Sequence, residues 1–313
     1  MFAFISRRIL ATIPVMGVVA LVVFLLLRLT PGDPAAIIAG DAATPAELEA
    51  IRERLGLNLP IYLQFFDWLI RLLQGDLGTS ILSNTSVGTM VLQRMEPTLA
   101  LATTTIIFAV LVAVPMGVIA AWKHGTWIDR SIMIFSVIGF SVPVFVMGYI
   151  WIYGISINLR WLPVQGYRSI SGGFWPFFER LILPTLTLSV IYIALIARIT
   201  RASVLEILDE DYIRTARAKG LTEKRVLLVH ALRNAAVPIV TIIGIGIALL
   251  ISGVVVTESV FNLPGLGRLT VDAVLARDYP VIQGIILIFA FVYVIVNLVI
   301  DLSYTLFDPR IRY

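Results

Sequence analysis

Ionisable side chains are sparse in this chain, and the densest group of them lies between Leu208 and Pro238, in LDEDYIRTARAKGLTEKRVLLVHALRNAAVP. Asp209, Glu210 and Asp211 open a short helical pattern that runs from Tyr212 to Lys219. Acids at the start and bases at the end both suit a helix dipole. Gly220 stands where such a helix stops, because glycine accepts the left-handed backbone of a C-terminal cap. Thr222 is placed to cap a second helix from Glu223 onward. The spacing predicts helix, glycine, helix. Glu210 and Arg214 are four apart and can pair along one side, Arg217 lies one turn on, and Ala216 and Ala218 let another surface come close. The chemistry this offers is docking rather than catalysis. The candidate contact residues are Glu210, Asp211, Tyr212, Arg214, Thr215, Ala216, Arg217, Ala218, Lys219, Gly220 and Leu221. The plainer alternative is a basic loop that only orients a membrane protein.

Other chemistries are poorly supplied. A phosphate-binding G-x-x-x-x-G-K-[ST] string is absent, as is any Gly-Lys dipeptide, so ATP is not expected to bind this chain. His124 and His230 are the only histidines, and with no H-E-x-x-H pattern and no cysteine a catalytic metal site is not expected. Gly139-Phe140-Ser141-Val142-Pro143 fails the G-x-S-x-G pattern because Pro143 replaces the last glycine. No cofactor is expected on the chain, and it reads as non-catalytic.

These residues sit in a strongly apolar chain. Its 313 residues are 59% hydrophobic and 14% charged, with a mean hydropathy of +0.95. Soluble domains are roughly 45–50% apolar and 25% charged, so an integral membrane protein is indicated. The net charge of +4 and pI near 9.5 fit basic loops facing anionic lipid better than nucleic-acid binding. Six segments are long enough to cross a bilayer: Ile9–Leu29, Leu99–Ala121, Ile132–Ile157, Ile182–Ile199, Val237–Val256 and Val281–Leu302. The first reads as an uncleaved anchor. Basic residues are denser in the segments containing Arg7, Lys123, Arg198 to Arg233, and Arg310, which places both termini and the charged island inside.

The expected fold is all-α with six spans, divided into residues 1–30 (tail and first span), 31–98 (an extended periplasmic segment) and 99–313 (five helices containing a loop at 200–236). Within the periplasmic segment, Thr30 to Gly40 must turn, Thr44 and Pro45 start a helix through Leu55, and Pro60 to Gln74 forms a second. The aromatics of that second helix suit the membrane interface, or equally packing against the spans. Asn158 to Arg180 reads as an irregular outer cap, either anchored by its tryptophans or a seat for an external partner protein. Pro115 and Pro143 remove hydrogen bonds within spans, as pivots or as packing adjustments. The fifth span carries Gly244, Gly246 and Gly253, the last two seven apart and so on one face, a candidate contact for a second membrane subunit or for packing within this one. Ser141, Pro143 and Asn297 are candidate pathway residues. Ionisable groups and repeats at mid-span are not evident, which argues against an ion-coupled carrier.

EDYIRTARAKG followed by HALRNAAVP resembles the conserved loop of inner-membrane permease subunits of ATP-binding-cassette (ABC) importers, in the dipeptide and oligopeptide branch. Against the wider family's Glu-Ala-Ala, glycine and Ile-x-Leu-Pro pattern, only Ala216, Gly220 and Leu232 match, a departure that itself resembles the peptide-permease variant. LTPGDP, QFFDWLIRLLQGDLGTS, TESVFNLPGLGRLTVDAVLARDYPVIQG and the final DPRIRY are similar to signatures of the same family, and LTPGDP is similar to the first of its two permease types. The resemblance implies a type I importer permease fold in the bacterial inner membrane and a coupling helix moved by separate ATPases. It also implies the partners: a second homologous permease, two ABC ATPase subunits carrying ATP and Mg, and a periplasmic or lipid-anchored solute-binding protein. Substrates of such systems include dipeptides, oligopeptides, glutathione, nickel chelates and opine-like compounds. A secondary carrier and a non-transporting scaffold remain the alternatives.

Overall fold

A computed structural model describes residues 2–29, 35, 44–54 and 56–307. Every regular element among them is helical, and the one strand-like pairing is a bridge between Thr79 and Ser86. The turn expected over Thr30 to Gly40 lies outside the described residues, Ala35 apart, as does the DPRIRY end.

The helices are α1 (Phe2–Leu29), α2 (Pro45–Arg54), α3 (Ile61–Leu73), α4 (Val87–Trp122), α5 (Trp127–Ser141), α6 (Val144–Trp151), α7 (Phe174–Leu208), α8 (Asp211–Ala218), α9 (Glu223–Asn234), α10 (Ala236–Val260), α11 (Leu266–Leu275) and α12 (Tyr279–Phe307). Among the described residues four helices are long and apolar enough to cross a membrane unaided: α1, α4, α7 and α12. Two further candidates are bent pairs: α5 with α6 and its π-helical extension to Asn158, at 105°, over the expected Ile132–Ile157, and α9 with α10, at 61°, in which the expected Val237–Val256 lies within α10 alone. The first of these departs from the straight span read over Ile132–Ile157. Pro143 explains it: the residue before a proline is pushed out of helical space, and Val142 takes φ −83°, ψ 125° while Pro143 starts α6. Pro115 has no such effect, since α4 runs unbroken through it.

The chain divides into two compact units, residues 95–268 with 295–313, and residues 2–94 with 269–294. In the first, α7 is the central element. Its 35 residues extend ~52 Å at 1.5 Å per residue, and α5, α6 and α10 all pack on it. Leu181, Leu183, Leu188, Ile193 and Ile196 of α7 form a core with Leu101 of α4 and with Leu250 and Val254 of α10. The outer loop expected over Asn158 to Arg180 ends earlier than its last residue, because Gly173 turns at φ +114° and α7 begins at Phe174, with Pro176 in its first turn.

Where the chain leaves this unit at Arg268, α10 has been followed by the start of the short helix α11. Its N-terminus is capped from afar. Glu258, fully buried at the end of α10, accepts the Arg268 amide at Oε2 (2.9 Å) and the Thr98 hydroxyl at Oε1 (2.6 Å), while Thr98 Oγ1 accepts the Leu266 amide (2.8 Å). First-turn amides have no partner within their own helix, and here two of them are met by α10 and α4. The backbone must pass close to the carboxylate to do this. A Cβ on Gly265 would lie 2.0 Å from Glu258 Oε1, and one on Gly267 2.6 Å from Val255 Cα.

In the second unit, α2 is closed by reciprocal bonds in which the Thr44 amide donates to Glu47 and the Glu47 amide to Thr44 Oγ1. The Thr44 amide and then its hydroxyl, both donating to the Glu47 carboxylate, hold that carboxyl below its ordinary pKa. Helix α3 packs on α1 through Phe65 and Trp68 against Phe24. Buried Asp278, just before α12, accepts from Ser80 Oγ (2.5 Å) and the Ile81 amide (3.2 Å), so the 78–86 loop is fastened to it.

Candidate functional site

The charged island forms the helix, glycine and helix that its residues predict. Helix α8 starts one residue earlier than expected, at Asp211, with Glu210 in extended backbone at the N-cap. That shift changes the ion pairing. Glu210 is not part of the helix, so the four-residue rule does not apply to it, and Arg214 pairs with Asp211 at 3.2 Å instead. Both partners are well exposed, so the pair contributes little. Thr222 occupies the N-cap of α9 as expected, but its side chain makes no capping bond.

Helix α8 has two distinct faces. Ile213 and Ala216, three apart, are buried and turned toward the Val226–Ala231 stretch of α9, where Val226 and Ala231 are fully buried. Burying an isoleucine contributes about 1.5–3 kcal/mol, enough to fix how a helix of two turns lies. Ala216 therefore belongs to the packed side, not to the open one. Tyr212, Arg214, Thr215, Arg217, Ala218 and Lys219 are exposed. Gly220 has φ +79°, and a Cβ there would meet nothing within 4 Å. It is glycine for its backbone angle alone, and the space around it is open.

Two contacts the sequence did not disclose hold the turn. Arg217 spans Gly220 and donates through Nε and Nη2 to the Glu223 carboxylate, at 2.8 and 3.3 Å. Asn234, at the far end of α9, donates to Tyr212 Oη and to the His230 carbonyl, both at 2.8 Å. Beneath them Val204 of α7, Leu227 and Ala231 of α9, and Val118 and Ala121 of α4 make a small apolar core. The loop is thus rigidly mounted on α4 and α7.

A third contact braces the same end of α7. Arg201 grips Asp129 with two bonds, Nε to Oδ1 at 2.5 Å and Nη2 to Oδ2 at 2.8 Å. The Gly125 amide donates to the same carboxylate (3.0 Å), and His124 Nδ1 lies 3.3 Å from it. The carboxylate is nearly buried, so the pair costs desolvation and gains through its two-pronged geometry. Asp129 follows the α4–α5 turn by a few residues, and only the fold brings it to Arg201, 72 positions later.

The other candidate residues fall elsewhere. Gly244 faces Ile300 of α12, Gly246 faces the Tyr192 ring of α7, and Gly253 faces Leu188 and the Tyr192 hydroxyl, so these glycines are packed inside the chain. Ser141 is exposed and bonds back to the Val137 carbonyl, Pro143 forms the corner of the 105° bend, and Asn297 is half-buried in α12. Among the described residues no three His, Asp or Glu side chains gather as a metal site.

Comparison with known proteins agrees with this architecture. Residues 113–313 match the family model described as binding-protein-dependent transport system inner membrane component, and residues 1–102 match its N-terminal companion model. A probable peptide ABC transporter permease of Sinorhizobium fredii is 55% identical over the full length of both chains. A putative peptide transport system permease of Brucella abortus is 44% identical over the same extent, and the glutathione transport system permease GsiC of Escherichia coli K12 is 43% identical. Among solved structures, the inward-facing MetNI methionine ABC transporter aligns with a TM-score of 0.58 at 17% identity, over 70% of this chain and 96% of that one. The chain belongs to the family of binding-protein-dependent transport system inner membrane components, in its peptide and glutathione permease branch.

Proposed function

We propose that this chain is one of two permease subunits of an ATP-driven importer for peptides or small peptide-like solutes such as glutathione. In this reading α8 receives the motion of a separate ATPase subunit, and the six spans supply half of the pathway in the bacterial inner membrane, with both termini in the cytoplasm. A second homologous permease, two ATPases that bind ATP and Mg, and a solute-binding protein complete the assembly. The names of the full-length relatives support the substrate class. The observation that carries the coupling role is the two-faced mounting of α8. One side is locked to α9 by Ile213 and Ala216, and the opposite side offers Arg214 and Thr215 unobstructed. A helix held so firmly from behind transmits a push from the front to α7 and α10 with little loss in local bending.

The absence of cysteine makes the test direct. Thr215→Cys in the assembled complex is expected to cross-link to an ATPase subunit through a short bifunctional reagent, with the yield changing on ATP binding. Ile213→Cys, buried against α9, is expected to give no product. An assembled complex that hydrolyses ATP in response to loaded binding protein, yet yields no Thr215 cross-link, would remove α8 from the coupling path.

A further inference from the structure

Helix α3 carries more apolar surface than its packing uses. Three arcs divide its circumference. Phe65, Trp68 and Leu72 lie on the arc that meets α1, where Phe24 is 5.3 Å from the Phe65 ring and 5.7 Å from Trp68 by ring centroids. Asp67, Arg71 and Gln74 lie on a polar arc, with Arg71 and Asp67 3.7 Å apart and both open to solvent. Between these arcs runs a stripe of Tyr62, Phe66, Ile70 and Leu73, spaced by four, four and three residues and 63%, 56%, 53% and 79% exposed. Among the described residues no helix of the second unit covers it. The N-terminal side of α3 is pinned as well, since Gln64 turns its amide inward to the Leu57 and Leu59 carbonyls, 3.0 and 2.7 Å away.

The position of α3 along α1 decides what covers the stripe. Helix α1 is a candidate span with a mean hydropathy of 2.4 over its central window, and most of that window is unburied by protein. Phe24 lies five residues before its end at Leu29, roughly 7 Å along the axis. A helix resting on Phe24 is therefore level with the last turns of a bilayer-crossing segment, at the depth of roughly 5–10 Å to which in-plane amphipathic helices sink. The stripe on α3 and most of the α1 window are both left uncovered by protein, and the polar arc occupies a different side of α3.

From this we infer that α3 lies in the plane of the membrane, with Tyr62, Phe66, Ile70 and Leu73 inserted among the acyl chains of the leaflet at the C-terminal end of α1. It anchors the segment between α1 and α4 to lipid and holds Asp67 and Arg71 at the headgroups. The inference concerns depth in the membrane and stands apart from the identity of the transported solute.

Single cysteines at Phe66, Ile70 and Asp67 test it, each spin-labelled in the complete complex in nanodiscs and measured for collision with oxygen and with a water-soluble nickel chelate. Labels at Phe66→Cys and Ile70→Cys are expected to favour oxygen several-fold over the chelate, and the Asp67→Cys label to show the reverse. Equal chelate access at all three positions would place α3 in water and overturn the inference. Protection of Phe66→Cys and Ile70→Cys from both reagents would show that a protein partner covers the stripe, which overturns it equally. Because the readout is local mobility and access, it does not depend on transport activity.

Discussion

At Gly220 the requirement is conformational and not spatial, which separates two effects that a single bulky substitution would merge. A non-glycine residue in left-handed backbone costs roughly 1–2 kcal/mol, and the open surroundings add no steric term at φ +79°. Gly220→Ala and Gly220→Trp should therefore destabilise the chain about equally and assemble equally well. They should differ only if a partner surface approaches the turn. We expect the alanine variant to retain most transport and the tryptophan variant to lose it, measured as solute uptake normalised to complex recovered from the membrane. Equal uptake by the two would mean that nothing docks beside Gly220. The flanking clamp explains why the sequence disclosed only part of this site. Gly220 announces itself by type, whereas Arg217 and Glu223 are six apart and meet only after the glycine has turned the chain. Glu210 and Arg214 have the right spacing for a pair, but Glu210 sits in extended backbone at the cap, and spacing rules hold only inside the helix.

At the scale of elements, α11 depends on a carboxylate that is not its own. Its first amides are met by Glu258 and Thr98, and Thr98 is 160 positions from Glu258 in the chain. Replacing Glu258 with alanine would leave the Arg268 amide and the Thr98 hydroxyl without this acceptor in a dry site, a loss of about 1–3 kcal/mol for each. Glu258→Ala is expected to lower the thermal midpoint of the purified complex and to raise amide exchange across Leu266–Leu275 before other helices. Glu258→Gln, which preserves the shape and one acceptor, should fall between alanine and wild type. Exchange in α11 unchanged by Glu258→Ala would show that the helix is held by its packing alone. Composition signals a turn here, since Pro264, Gly265 and Gly267 fall together just past an apolar span. It could not reveal why two glycines are needed, which is that the loop runs close to a buried side chain. The bent pairs mark the same limit. Hydropathy registers the apolar length of Ile132–Ile157 but not its direction, and the 105° turn is carried by Pro143 and its effect on Val142.

For the whole molecule, the open question at the permease interface concerns which apolar faces are used within the chain. Gly246 and Gly253, seven apart, do share a helix face, as their spacing requires, and Tyr192 of α7 fills it. Small residues report close approach without saying to what, so one pattern served two readings. A Cβ at Gly253 would meet Leu188 Cδ2 at 3.0 Å and Tyr192 Oη at 3.4 Å, and larger side chains must displace both. Overpacking of this kind costs about 1–3 kcal/mol. Gly253→Val is therefore expected to reduce the yield and thermal midpoint of the chain itself. In the fraction that survives, the ratio of second permease recovered per copy of this chain should stay unchanged. Leu188→Ala, by making room on α7, should restore part of the lost stability. The opposite pattern, a chain of normal yield and midpoint that comes out without its companion, would return the glycine face to the subunit boundary and leave α7 and α10 held by the rest of their shared core.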